Sequence, residues 1–327
     1  MSRLVRRGTA LASIASLSLV AALSACAASG SQTTPADAAA PVTVTDATGT
    51  EITLDAPAER VVCLDTLCLD ALIELGVTPV ASAQQQTLTD PHFFGPDADV
   101  DPIGGSFFEP DLEAILAAQP DLVVGSASVH GDLRSALGSV PLYTSSLREE
   151  GAAVANLTTM GQLLGREDAA AEALERHRQT LEGYVERERE VSVLSMYGGA
   201  TADIGIDAAD STIGRLLQRY TNYPWPDAGQ GDSGFLEINL ETILDVDPEW
   251  IWILDFGFDP NAPALVEQLA EEPVWETLTA VRNGNVVVTP RWWGGVGGTH
   301  TQQLVLDHVL PQVYPDEFPE PLGPLSR

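Results

Sequence analysis

The sequence predicts an α/β protein of two related lobes joined by one long helix, and three observations carry that expectation. The first is a repeat. The run Leu112-Glu113-Ala114-Ile115-Leu116 through Pro120-Asp121 returns as Leu240-Glu241-Thr242-Ile243-Leu244 through Pro248-Glu249, both reading Leu-Glu-x-Ile-Leu-x-x-x-Pro-acid, 128 residues apart. Each copy reads as a short helix capped by Asp111 or Asn239, stopped by its proline and followed by a buried strand. The second observation lies between the copies. From Arg166 to Glu190, Ala170, Leu174, His177, Leu181, Tyr184 and Val185 recur at helical steps while Glu172, Glu175, Arg178, Glu182 and Glu186 fill the other positions. Such a helix would run roughly 37 Å, enough to reach from one lobe to another. The third is a βαβ pattern near the start: an apolar strand over 60–64, a helix with Leu69, Leu72, Ile73 and Leu75 on one face closed by Gly76, and a further strand from Pro79.

Taken in order, the chain opens on an export signal over residues 1–25. Arg3, Arg6 and Arg7 precede an apolar run from Leu11 to Leu23, and small residues follow. Leu23-Ser24-Ala25-Cys26 resembles a bacterial lipobox, which implies a lipid anchor on Cys26. Residues 26–41, rich in Ala, Ser, Thr and Pro, read as a flexible tether. The expected body is soluble and held at the extracytoplasmic face of the cell membrane: an N-terminal α/β lobe over 42–150, an interlobe helical segment over 151–190 and a C-terminal α/β lobe over 191–327. A hairpin over 42–54 turning at Ala47-Thr48-Gly49 opens the first lobe. Asn283-Gly284 turns the chain into the last strand of the second.

Composition fits a large globular body. Of 327 residues 44% are hydrophobic, there is no lysine, and the net charge is −31. Nucleic acid is excluded as a partner on that balance; the acidic surface reads chiefly as keeping the protein soluble, with a preference for neutral or cationic ligands as the alternative. Beside Cys26 stand only Cys63 and Cys68. Export permits a disulfide, but their places in a strand and the following helix favour buried free thiols.

The hairpin Val-Thr-Val-Thr-Asp-Ala-Thr-Gly, the strand Arg60-Val61-Val62, the helix ending Glu74-Leu75-Gly76-Val77, the repeated Leu-Glu-x-Ile-Leu-x-x-x-Pro-acid, and the late segment Pro273-Val274-Trp275 to Val286 together resemble the class III periplasmic binding proteins of ABC importers. The likeness is to the branch carrying ferric siderophores, with haem and vitamin B12 binders as relatives. It covers residues 42 to 313. It implies two Rossmann-like lobes with a ligand cleft between them, no catalysis, no cofactor, and an Fe(III)-siderophore complex as ligand. It also implies that Glu113 and Glu241 dock the protein to two permease subunits. A monomer is expected.

Open α/β sheets bind ligands beyond the carboxyl ends of their strands. The loops at those positions offer Asp65, Thr66, Phe107, Phe108 and His130 in the first lobe, with Arg134 close behind. The second lobe offers Tyr197, Tyr223, Trp225, Phe256, Arg291, Trp292, Trp293 and His300. Aromatic residues in loops suit cleft walls, and Trp292-Trp293 among glycines is the clearest case, although one indole pointing into the lobe core fits as well. Arg134 and Arg291 suit the carboxylates or chelating oxygens of a ligand, or a plain surface role. His130 or His300 would serve a haem iron, which keeps haem open as an alternative. The five histidines show no catalytic or zinc spacing, so neither an enzyme nor a bare metal-ion binder is expected.

Overall fold

The structure, a computed structural model, describes residues 40–146, 151–183, 190–229, 234–256 and 262–318. The residues read as export signal and as tether with Cys26, Tyr184 and Val185 of the expected interlobe helix, and the tail beyond Phe318 lie outside the described residues. Among the described residues no helix is long and apolar enough to cross a membrane.

The chain opens with the expected hairpin, β1 (Val42–Thr45) and β2 (Glu51–Leu54), Val42 opposite Leu54. The first half then runs β3 (Val61–Cys63), α1 (Thr66–Leu75), β4 (Ala81–Ser82), α2 (Gln85–Leu88), β5 (Asp101–Pro102), α3 (Leu112–Ala117), β6 (Leu122–Ser126), α4 (Leu133–Ala136) and β7 (Leu142–Ser145). Its strands form a parallel sheet in the order β5-β4-β3-β6-β7. Alternation along β3 and β6 sends Val61, Cys63, Leu122 and Val124 into the main core and Val62 and Val123 into a smaller one with Ile115 and Leu142. A sheet buried on both faces needs such continuous apolar strands.

Two helices follow, α5 (Ala152–Leu163) and α6 (Glu167–Gly183). Gly165, at a φ of 61°, makes the break between them. Ala170 and Ala173 are buried along α6, and Leu174 and Leu181 pack partly against the main core.

The second half comprises β8 (Val193–Gly198), β9 (Gly205–Asp207), α7 (Thr212–Gln218), β10 (Phe235–Glu237), α8 (Leu240–Val246), β11 (Trp250–Asp255), α9 (Leu265–Ala270), α10 (Thr279–Asn283), β12 (Val286–Val288) and α11 (Thr299–Val313). Its sheet has the order β10-β9-β8-β11-β12, with β9 antiparallel to both neighbours and β8, β11 and β12 parallel. The last helix does not stay with this sheet. It packs on α1, α5 and α6.

The sequence repeat is a structural repeat down to its irregularities. Asp111 Oδ1 accepts from the N–H groups of Glu113 and Ala114 at 2.9 and 3.2 Å, and Asn239 Oδ1 accepts from Thr242 N–H at 2.9 Å. Gln119 and Asp247, each just before the proline, are the two non-glycine residues with positive φ among the described residues, at 49° and 47°. A residue before proline is kept out of the right-handed helical region, so each copy leaves its helix through the same left-handed step.

Cys63 and Cys68 correct the free-thiol expectation: they form a disulfide. Asp65 accepts from Cys68 N–H at 2.9 Å and so turns the chain from strand into helix at once. The two Cα atoms come within 5.4 Å, inside the span a disulfide bridges.

Candidate functional site

The segments that follow β3 and β12 meet. Thr66, the first residue of α1, lies against Gly295 in the short 3-10 turn Arg291–Gly295 after β12, and a Cβ on Gly295 would collide with the threonine side chain. One helical turn along α1, Asp70 meets Gly298 in the same way. Its carboxylate accepts from Thr301 N–H at 2.7 Å, from the Thr301 hydroxyl at 2.8 Å and from His300 N–H at 3.3 Å. Burial raises Asp70 to about 6 in spite of those bonds. Gly295 and Gly298 therefore mark a seam where the chain crosses back onto α1, with no room for a side chain at either position.

Each half also carries a cluster of aromatic side chains, partly or fully exposed. Phe107 and Phe108, 38% and 70% exposed, occupy the turn after β5 with ring centroids 5.3 Å apart. The Phe107 carbonyl bonds to His130, beyond β6, at 2.8 Å. Since β4 and β3 stand between β5 and β6, the turn must run over their carboxyl ends to make that bond. In the second half Tyr197, at the end of β8, packs edge-on against Phe235 at 5.0 Å and Phe256 at 5.5 Å. Burial, with Asp207 and Glu237 nearby, pushes its phenol above the usual range, so Tyr197 acts there as a neutral ring with a hydroxyl. Arg291 stands at the rim and donates from Nη1 to the carbonyls of Asp255 and Phe256 at 2.8 and 2.6 Å.

Thr66, Phe107, Phe108, Tyr197, Phe256 and Arg291 thus stand at strand ends as expected, and Asp65 lies beneath them as the buried cap of α1, its carboxyl raised by burial. The other candidates do not face an open site. Trp292 and Trp293 are buried: the Trp293 indole donates to Ser195 Oγ at 3.0 Å, and Trp292 packs against His308 at 5.4 Å. Two adjacent indoles forfeit too much apolar area to stay in solvent, and the 3-10 turn lets both point inward. Tyr223 and Trp225 are also core residues, their polar atoms donating to the carbonyls of Asp207 at 2.6 Å and Val193 at 2.8 Å. Arg134 is taken up by Asp46 at 2.6 Å and by the Leu142 carbonyl at 2.6 Å. His130 and His300 are both buried and donate from Nε2 to the carbonyls of Phe107 at 2.8 Å and His92 at 2.7 Å. Phe235 was missing from the sequence-based set. Its one signal is position, an aromatic residue after Gly234 at the head of a strand.

Among the described residues no group of three or more His, Cys, Asp or Glu is placed to hold a metal ion. A cavity of about 480 Å³ opens beside β10 and the start of α8, but every residue lining it, from Ala202 to Thr242, belongs to the second half.

Two α/β halves, joined where the segment after β12 crosses onto α1, and each carrying a cluster of aromatic side chains, define a bilobal binding protein. Residues 61–291 match the family described as "Periplasmic binding protein", and the chain belongs to that family. It is 26% identical over 269 residues to the Fe(3+)-citrate-binding protein YfmC of Bacillus subtilis (strain 168), covering 80% of this chain and 83% of that one. It is 25% identical over 272 residues to the Fe(3+) dicitrate-binding periplasmic protein FecB of Escherichia coli (strain K12), covering 80% and 87%. The structure of the petrobactin-binding protein YclQ from Bacillus subtilis is similar in fold, with a TM-score of 0.68 at 18% identity over 84% of this chain and 99% of that one.

Proposed function

We propose that this protein is the extracytoplasmic binding component of an ABC importer, capturing a ferric siderophore of hydroxamate or mixed type and delivering it to a permease for iron uptake. The observation that carries this reading is the pair of aromatic surfaces, Phe107 and Phe108 on one half and Tyr197, Phe235 and Phe256 on the other. A chelated iron complex presents an organic shell, and each ring that covers it contributes on the order of 1 kcal/mol or more. The names of the two relatives above support an iron(III) complex as cargo.

Charge argues for a complex less anionic than ferric citrate. Arg134 is neutralised by Asp46, Arg291 stands at the rim, and the chain carries a net charge of −31. A multiply charged anion calls for a cluster of cations. The haem alternative is weakened because Nε2 of both His130 and His300 is committed to a main-chain carbonyl.

The remaining parts of the reading rest on the sequence. Cys26 carries a lipid that holds a monomer at the outer face of the membrane. Glu113 and Glu241, exposed in the first turns of α3 and α8, meet basic groups on two permease subunits. An acid at equivalent places in both halves suits a twofold permease.

Titrating the anchor-less protein with ferric hydroxamates, ferric dicitrate, ferric catecholates, haem and cobalamin, while following tryptophan fluorescence, tests the reading. Saturable tight binding of a hydroxamate or mixed complex is expected. Silence toward every iron complex, with tight haem or cobalamin binding instead, overturns it; tightest binding of dicitrate overturns the charge argument alone.

A further inference from the structure

We propose that His130 is the positioning residue of the ligand site: it clamps the Phe107–Phe108 turn over the edge of the first sheet and touches no ligand itself. This inference rests on the proposed placing of the ligand against those two rings. His130 lies four residues beyond the end of β6, 1% exposed, in a tight turn where its own N–H donates to the Ser126 carbonyl at 2.8 Å. Ser126 N–H donates to Nδ1 at 2.9 Å, so Nδ1 holds a lone pair. The ring proton therefore sits on Nε2, which donates to the Phe107 carbonyl at 2.8 Å. The same imidazole also receives the Phe107 ring edge-on, at 5.1 Å between centroids. One neutral histidine thus fixes both the backbone and the side chain of Phe107.

The surroundings are shaped for this arrangement. A Cβ at Gly125 would come within 2.7 Å of Nδ1, so only glycine at that point of β6 lets the imidazole lie against the strand. On the far side the turn is closed by bonds within itself: Ser106 N–H to the Glu109 carbonyl and Glu109 N–H to the Ser106 hydroxyl, both at 3.0 Å. Those bonds give the turn its shape but do not set where it lies above the sheet. The tie from His130 does, across β4 and β3. Two exposed phenylalanines on an untied turn would have to be ordered by the ligand, and that ordering subtracts from affinity.

Hydrogen exchange and ligand titration on the whole chain test the role. In ligand-free His130→Ala, amides of residues 104–110 should exchange at least tenfold faster while those of β3 and β6 stay protected. Affinity for a ferric trihydroxamate, Fe(III)-desferrioxamine, should fall about tenfold, the effect of losing one well-made buried hydrogen bond. His130→Gln, whose amide reaches the Phe107 carbonyl, should restore most of both losses. In a Phe107→Ala, Phe108→Ala background, His130→Ala should weaken binding no further, since both rings it positions are gone. Wild-type exchange over 104–110 in His130→Ala, or additive effects in that background, overturns the role given to His130. If Phe107→Ala and Phe108→Ala both bind the probe at wild-type strength while the exchange result holds, the placing of the ligand fails and the clamp stands as a feature of the fold.

Discussion

Asp70 Oδ2 accepts from both the N–H and the hydroxyl of Thr301, joining the first helix of the chain to the start of its last across 231 residues. Replacing Asp70 with alanine removes a buried acceptor from three donors at the start of α11. The expected cost is roughly 2–4 kcal/mol of stability, measured by urea denaturation. Thr301→Val, which loses the hydroxyl and keeps the N–H, should cost about 1 kcal/mol.

Asp207 gives the second half a pH-dependent stability. The Ser195 hydroxyl donates to it at 2.7 Å, yet burial raises its carboxyl from 3.8 to about 7. The folded state therefore binds this proton more tightly than the unfolded chain. The contribution is fully present below about pH 4 and is lost as the pH rises toward 7. Melting curves of the wild type and Asp207→Asn between pH 4 and pH 8 should converge at the acid end, with the variant gaining relative to the wild type as the pH rises. Parallel curves would mean that Asp207 stays charged throughout.

The buried and exposed aromatic residues should separate cleanly. Trp292→Ala should cost about 3–5 kcal/mol by leaving a cavity, and Trp293→Phe about 1 kcal/mol through its bond to Ser195. Trp293→Phe should leave ligand affinity within about twofold. Phe235→Ala should do the reverse, changing stability by about 0.5 kcal/mol or less and weakening affinity about tenfold. Thermal melts and equilibrium titration on the same samples decide it.

Glu113→Ala with Glu241→Ala should leave ligand affinity unchanged and cost up to about 1 kcal/mol per helix start. Stimulation of transporter ATP hydrolysis in membranes should collapse, and arginine at both positions should be worse than alanine. Normal stimulation with only a lowered melting point would make both acids helix-start residues and nothing more.

The Cys63–Cys68 bond closes a short loop around the Asp65 cap, and removing it should cost about 2 kcal/mol on loop-entropy grounds. Melting with and without reductant, against Cys63→Ser with Cys68→Ser, measures this.

The sequence made the architecture readable because local rules and fold agree in this chain. The caps Asp111 and Asn239, the stops at Pro120 and Pro248 and the hairpin turn all act over a few residues, and a copy in each half doubles the signal. The site was less readable because it depends on direction. Trp292 and Trp293 do follow a strand end, but such a loop can turn a ring toward ligand or toward core, and apolar area decides for the core; Tyr223 and Trp225 follow α7 instead and lie beside the start of β8. Arg134 illustrates the same limit, since its partner Asp46 lies 88 residues away in the opening hairpin. The disulfide was missed because strand and helix were weighed as separate elements, whereas the sharp Asp65 turn brings their ends together.

The return of α11 to α1 bears on how the chain is made. A protein whose two halves were independent would finish its first half while the second is still being synthesised. Here the face of α1 that receives α11 stays uncovered until residue 313 has emerged. α1 and α11 must find each other across the 231 residues that separate Asp70 from Thr301, which slows the closing step and leaves an apolar face exposed to chaperones or to other copies in the meantime. The two halves share a repeated motif, but the first is not fully covered until the end of the second is in place.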